Sequence, residues 1–162
     1  MSMSRREVMA AGALVAAAAV PAAAQAQGAP ASPPPASPTV SANTKPKLST
    51  HVLDTYHGRP GAGVKIDFAR VEKDGSKTLI KTVTTNADGR TDQLLFTAEE
   101  MAVGTYELTF HVADYYRAQG LTLPEPAFLG AVPVRFGIFD AKQGYHVPLL
   151  CTPWTYTTYR GS

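Results

Sequence analysis

Cysteine is scarce in this chain of 162 residues, and Cys151 is the only one. A single thiol excludes a disulfide bond within the chain. Cys151 sits in the apolar stretch VPLLCTPW, with no charged neighbour in sequence that would lower its pKa. This setting predicts a small buried core residue rather than a nucleophile.

Several catalytic and metal-binding motifs are also missing. The four histidines, His51, His57, His111 and His146, show none of the spacings of a zinc site, and there is no C-x-x-C pair. There is no glycine-rich phosphate loop and no G-x-S-x-G nucleophile elbow. The sequence therefore predicts no zinc site and no phosphate-binding loop, while a serine–histidine–acid triad on another scaffold stays open.

Residues 48–162 carry no excess of positive charge. Four of the fifteen basic residues, but only one of the thirteen acidic residues, precede Leu48. Residues 48–162 therefore carry eleven basic and twelve acidic side chains, and the net charge of +2 comes from the N-terminal part. This balance gives no support for nucleic-acid binding.

The first 26 residues have the layout of an export signal. Arg5 and Arg6 precede an apolar run at residues 8–20, and the Ala-Gln-Ala of residues 24–26 fits a cleavage site. The run is too short to span a bilayer, so we expect no membrane contact after cleavage and a periplasmic protein. The paired arginines favour the twin-arginine route, although such pairs also occur in ordinary signals. A buried N-terminal helix is the rival interpretation.

Residues 27–47 form a tract rich in proline, alanine and serine, with six prolines. Proline lacks a backbone donor and interrupts helices and sheets, so this tract predicts a disordered, solvated spacer. The spacer also argues against a buried N-terminal helix. The folded domain is then residues 48–162, which is long enough to bury a core without disulfides.

Alternation of apolar and polar residues with a period of two runs through this domain and predicts strands. Asp74-Gly75 between two such segments predicts a hairpin. The one helix pattern runs from Val112 to Gln119 and stops at Gly120. No internal repeat is present. Seven or eight short strands with one short helix predict an all-β sandwich.

Three residues are candidates for chemistry. His51 and His146 lie inside predicted strands, and Arg90 follows the Asp88-Gly89 turn. Each also has a structural explanation, since strand histidines are often hydrogen-bonded core residues and turn arginines are often solvated. On composition alone, the structural explanation is favoured for both histidines.

Three stretches of the domain resemble the 5-hydroxyisourate hydrolases, the transthyretin-like proteins of purine breakdown. They are LSTHVLDTYHGRPGAGVKIDF at the start, NADGRTD in the middle and GYHVPLLCTPWTYTTYRGS at the end. The final Tyr-Arg-Gly-Ser distinguishes these hydrolases from transthyretin, a hormone carrier of the same fold. The resemblance covers residues 48–162 and implies a transthyretin-like (prealbumin) β-sandwich of two four-stranded sheets with one short helix.

The resemblance also implies a site and an assembly. The matching positions are, for catalysis, His51, Arg90 and His146 and, for substrate binding, Tyr159, Arg160, Gly161 and Ser162. Family members are homotetramers whose active sites lie at the dimer–dimer interface. Their reaction needs neither a metal nor an organic cofactor.

The implied reaction is the hydrolysis of 5-hydroxyisourate to 2-oxo-4-hydroxy-4-carboxy-5-ureidoimidazoline. Water attacks a ring acyl carbon, so it needs a base, and the carbonyl oxygen needs donors or positive charge. A neutral histidine suits the base role, and His51 is the first choice. His146 would orient the water or polarise a carbonyl, and Arg90 would stabilise the oxyanion. Which histidine is the base stays open.

Two other functions are weaker alternatives. The domain could be a periplasmic small-ligand carrier without catalysis, or an adhesive sandwich on a stalk. Neither function needs His51, Arg90, His146 and the terminal tetrapeptide together, so the hydrolase is favoured.

Overall fold

The structure is a computed structural model that describes residues 47–161. The predicted export signal, the predicted spacer as far as residue 46, and Ser162 lie outside the described residues. Lys47, which the sequence assigns to the spacer, already belongs to the fold, because its carbonyl accepts a hydrogen bond of 2.8 Å from the backbone N–H of Tyr145.

One layer of the domain is a four-stranded antiparallel sheet with the strand order β5-β4-β6-β7. Its strands are β4 (Lys65–Val71), β5 (Lys77–Thr84), β6 (Gly104–His111) and β7 (Ala131–Ile138). The turn from β4 to β5 contains Gly75 at a φ of 85°, a backbone conformation that favours glycine. The hairpin predicted from Asp74-Gly75 is therefore confirmed.

The second layer is a four-stranded sheet with the order β10-β9-β2-β3. Its strands are β2 (Val52–Asp54), β3 (Arg59–Pro60), β9 (Leu149–Cys151) and β10 (Tyr156–Thr158). A short parallel pair, β1 (Leu48–Ser49) and β8 (Tyr145–His146), accompanies the two sheets. The predicted all-β sandwich of two four-stranded sheets is confirmed, whereas the parallel pair was not predicted.

The apolar side chains of the alternating strands form the hydrophobic core. Ile66, Phe68, Leu108 and Phe110 are all fully buried. Cys151 is 1% exposed, and burial raises the pKa of its thiol to about 11, so its predicted core role is confirmed. Among residues 47–161, no helix is long and apolar enough to cross a membrane.

The helix α1 (Val112–Ala118) ends one residue before the predicted boundary, and Gly120 follows it at a φ of 85°. Two adjacent helix residues anchor it to the second sheet. The hydroxyls of Tyr115 and Tyr116 donate to the carboxylate of Asp54, at 2.8 and 2.9 Å. Asp54 is fully buried at the end of β2 and also contacts Nδ1 of His57 at 2.6 Å.

Candidate active site

Backbone pairing brings His51 and Arg90 together, although they are far apart in sequence. The two residues form an isolated antiparallel bridge, and the N–H of Val52 donates to the carbonyl of Gly89 at 2.8 Å. Gly89 has a φ of 72°, and a Cβ there would lie 2.3 Å from the carbonyl oxygen of Val52. Only glycine fits at this position, so the Asp88-Gly89 turn fixes Arg90 beside His51.

The second histidine reaches the same place through the parallel pair. β1 and β8 align Ser49 with His146, and the rings of His51 and His146 lie 6.5 Å apart, centroid to centroid. Oγ of Ser49 lies 3.0 Å from Nδ1 of His146. Both histidines are half-buried. The fold therefore gathers all three predicted catalytic residues at one end of the short parallel pair.

Gly161, the last residue that the structure describes, also lies at His146. The N–H of Gly161 donates to the carbonyl of His146 at 2.8 Å, and the N–H of His146 donates back to Gly161 at 3.1 Å. A Cβ on Gly161 would lie 3.0 Å from Cβ of His146, so the absence of a side chain permits this approach. Tyr159 is exposed, and Ser162 lies outside the described residues.

Arg160 contacts the loop that connects β7 to β8. Its guanidinium carbon lies 4.9 Å from the ring centroid of Tyr145 and 5.5 Å from that of Phe139. Its Nη2 donates to Oε1 of Gln143 at 2.9 Å. The predicted substrate-binding arginine therefore has partners of its own within the chain.

Burial and nearby positive charge lower the pKa of both site histidines. For His51, burial has the larger effect and the Arg90 guanidinium adds to it, against a hydrogen bond with the backbone of Asp88. For His146, burial comes first, followed by Arg90 and His51. The charged form of each imidazole is disfavoured, so both rings are neutral near pH 7 and able to accept a proton.

Nε2 of His51 is buried and has no hydrogen-bond partner within the described residues. An unpaired polar atom in such a place is costly unless a ligand, a water molecule or another chain satisfies it. This nitrogen therefore has a lone pair that no group of residues 47–161 uses, as a general base requires.

Two contributors to the site were missed from the sequence. Ser49 contacts His146 only because two very short strands pair in parallel. No local sequence pattern predicts that pairing. The charge of Lys47 also lowers the pKa of His146, but Lys47 follows the proline-rich tract and was assigned to it. The described residues contain no cluster of three or more histidine, cysteine or acidic side chains that could hold a metal ion.

The family model described as the HIUase/Transthyretin family matches residues 48–161. The protein named 5-hydroxyisourate hydrolase 2 of Rhizobium meliloti is 58% identical over 116 residues, which are 72% of this chain and 96% of that relative.

Two solved structures have the same fold. A crystal structure of (S)-allantoin synthase superposes with a TM-score of 0.67 at 38% identity, and the match covers 72% of this chain but only 44% of that one. Sea bream transthyretin in complex with thyroxine gives a TM-score of 0.63 at 28% identity, over 71% of this chain and 94% of that one. The resemblance inferred from the sequence is thus confirmed, and the chain belongs to the HIUase/Transthyretin family.

Proposed function

We propose that this protein hydrolyses 5-hydroxyisourate to 2-oxo-4-hydroxy-4-carboxy-5-ureidoimidazoline in urate degradation. The observation that carries the proposal is the meeting of His51, Arg90 and His146 at one place, with Gly161 against His146. The name of the relative at 58% identity, 5-hydroxyisourate hydrolase 2, supports the same substrate.

In the proposed mechanism, Nε2 of His51 is the general base. It takes a proton from water as the water oxygen adds to a ring acyl carbon. The lowered pKa of His51 keeps this nitrogen free of a proton at neutral pH. No group of residues 47–161 competes for its lone pair.

Arg90 and His146 act on the carbonyl group of the substrate and on the attacking water. As water adds, negative charge develops on the carbonyl oxygen, and the Arg90 guanidinium stabilises that charge with its N–H donors. His146 orients the water or polarises the carbonyl. The carbon–nitrogen bond then breaks, and the departing nitrogen receives the proton held by His51. This route uses only side chains and water, so we propose no metal and no organic cofactor.

The last residues close the site on the substrate. Gly161 is already paired with His146 by two backbone hydrogen bonds. We propose that Tyr159, Gly161 and Ser162 contact the substrate there.

Four copies of the chain form the active assembly in this proposal, with the sites at the dimer–dimer interface. β10 is an edge strand with one side unpaired among residues 47–161, and such an edge is suited to pairing with another copy. Trp154, Tyr156 and Tyr159 are all about half exposed around it. Native mass spectrometry should detect a tetramer, and an active monomer would contradict this assembly.

The proposed location is the periplasm, because Arg5, Arg6 and the apolar run at residues 8–20 have the layout of an export signal. Cell fractionation tests the location. The chain should be found in the periplasmic fraction without its first residues, and a full-length chain in the cytoplasm would refute the export.

The test of the function is direct. Purified protein is added to freshly prepared 5-hydroxyisourate, and the ultraviolet absorbance is followed against spontaneous decay. The protein should accelerate the decay and yield the named product.

A carrier is the alternative and is not favoured, because the transthyretin structure is only 28% identical to this chain. Binding without acceleration would establish the carrier.

A further inference from the structure

We infer that Phe139 and Arg160 are positioning residues that clamp the end of the chain onto the site. The clamp consists of the Arg160 guanidinium, the rings of Phe139 and Tyr145, and the side chain of Gln143. It holds Gly161 against His146 without itself contacting the substrate. The effect on turnover rests on the proposed function, whereas the clamp itself does not.

The clamp is built around a cation beside two aromatic rings. The guanidinium carbon lies 4.9 Å from the ring centroid of Tyr145 and 5.5 Å from that of Phe139, both within the range of a cation–π contact. The two rings contact each other edge to face, with centroids 5.7 Å apart and planes at 76°. Gln143 accepts a hydrogen bond of 2.9 Å from Nη2 of Arg160.

The ring of Tyr145 is a fixed platform. It is 3% exposed, and its hydroxyl accepts hydrogen bonds from the backbone N–H groups of Phe139 and Asp140, at 3.2 and 3.1 Å. These bonds also tie the loop after β7 to the start of β8. A guanidinium that stacks here is therefore held by an ordered part of the fold.

Phe139 differs from Tyr145, because it is 65% exposed. A large apolar side chain with so much exposed surface gains little from burial within this chain. Its contacts with Arg160 and Tyr145 give it a role at that position: its ring completes the aromatic surround of the guanidinium.

The clamp is connected to the site because Arg160 and Gly161 are adjacent in the chain, as are Tyr145 and His146. Arg160 contacts Tyr145, and the next residue, Gly161, pairs with the next residue, His146, through two backbone hydrogen bonds. Releasing Arg160 would therefore loosen the pairing of Gly161 with His146. Because the guanidinium is already occupied by the loop, Arg160 acts on the chain end and not on the substrate.

The test is a double-mutant cycle with Phe139→Ala and Arg160→Ala in the full assembly. Phe139→Ala should lower kcat by about 2–5-fold, the factor that corresponds to losing a cation–π contact at an exposed site. Arg160→Ala should lower it further, because it also loses the contact with Tyr145 and the hydrogen bond to Gln143. The double variant should lose no more than Arg160→Ala alone, because the contact made by Phe139 is already absent once the guanidinium is removed. Phe139→Tyr keeps the aromatic face and should restore turnover. Arg160→Lys should restore it only in part, because an ammonium cannot stack and donate as a flat guanidinium does.

Phe128→Ala is the matched control. Phe128 is 71% exposed and lies on another segment, so its removal should leave turnover unchanged. Hydrogen exchange of the C-terminal peptide gives a second measurement that needs no substrate. The Gly161 amide should exchange faster in Phe139→Ala and Arg160→Ala than in the wild type and Phe128→Ala, at unchanged thermal stability.

Three results would overturn the clamp. Additive losses in the double variant would mean that the two residues act separately. A rise in KM for Arg160→Ala, with Phe139→Ala behaving as wild type, would make Arg160 a substrate ligand. Dissociation of the Phe139→Ala assembly would assign the exposed ring to a subunit interface. If the wild type proved inactive, the exchange measurement would still decide the clamp, so the two failures are distinguishable.

Discussion

Ser49 and His146 lie in register on the parallel strands β1 and β8, and Oγ of Ser49 is 3.0 Å from Nδ1 of His146. Because Nδ1 is occupied, the imidazole cannot rotate without losing this bond, and Nε2 is left for water or substrate. In a site that needs a histidine in one orientation, such a bond defines the reactive nitrogen.

Ser49→Ala should therefore lower kcat by about fivefold to tenfold, the factor expected for one lost hydrogen bond. Ser49→Thr keeps the hydroxyl and should retain most of the turnover. Steady-state kinetics of the two variants, with the nitrogen chemical shifts of His146 by NMR, provide the check. Full activity in Ser49→Ala would show that the ring needs no such support.

Removing either site histidine should abolish most of the chemistry and leave the fold intact. His51→Ala and His146→Ala should each lower kcat by about 10²–10⁴-fold, the usual contribution of a positioned acid or base. His111→Gln is the control, because His111 is bonded to Asp67 at 2.7 Å on a different strand. Near-wild-type turnover in both alanine variants, with unchanged circular dichroism, would refute the assignment.

The acid limb of the pH–rate profile should report the lowered histidine pKa values. Burial and the Arg90 charge hold the pKa of His51 below its ordinary value, so kcat/KM should fall only below about pH 6.5. Arg90→Gln removes a positive charge and should raise the pKa of His51 and His146. The acid limb should then move to higher pH, whatever the loss in absolute rate. A limb that stays in place or moves to lower pH would contradict this coupling.

Asp54 should make the domain sensitive to acid. Burial alone would raise the pKa of its carboxyl, but hydrogen bonds from His57, Tyr115 and Tyr116 outweigh burial and hold the pKa below its ordinary value. A carboxyl with a lowered folded-state pKa stabilises the fold above its unfolded pKa of about 4, and that contribution is lost as the pH falls through the folded value.

Asp54→Asn should accordingly reduce the free energy of unfolding at pH 7 by about 1.5–3 kcal/mol, the contribution of hydrogen bonds to a charged group. The variant should also lose less stability than the wild type between pH 5 and pH 3. Urea unfolding at several pH values measures both effects. Glu72→Gln changes an exposed carboxylate, 3.8 Å from Arg70, and serves as the control. Equal stability of Asp54→Asn and wild type at pH 7 would be evidence against the network.

The chain end should matter for activity more than for stability. Gly161 makes only two backbone hydrogen bonds to His146, so deleting Gly161 and Ser162 removes little of the core. The deletion, or a C-terminal tag, should lower turnover at least tenfold, because it withdraws groups that we place at the substrate. A tagged protein with full turnover would make the terminal sequence irrelevant to catalysis.

The fold could be predicted from the sequence because its signals are local. Alternation within β4, β6 and β7, the hairpin glycine Gly75 and the helix stop at Gly120 each depend on neighbours in the chain. The network around Asp54 could not be predicted, because its tyrosine partners come from a helix some sixty residues away. Contacts of this kind leave no periodic pattern.

The site was predictable only in part for the same reason. His51, Arg90 and His146 were singled out by resemblance to a family, since nothing local shows that a turn at Gly89 pairs with the start of β2. The partners of Arg160 were missed, because a terminal arginine gives no sign of contacting Phe139 and Tyr145. The local sequence around these residues does not indicate their partners, because the partners are distant in the chain and meet only in the folded structure.

The most direct test of the central claim compares three proteins on one fresh preparation of 5-hydroxyisourate: the wild type, His51→Ala/His146→Ala and His111→Gln. The first-order decay constant of the ultraviolet absorbance is measured for each and for buffer alone. We expect fast decay with the wild type and His111→Gln, and decay close to the spontaneous rate with the double variant. Acceleration of equal size by the double variant, or none by the wild type, would contradict the central claim.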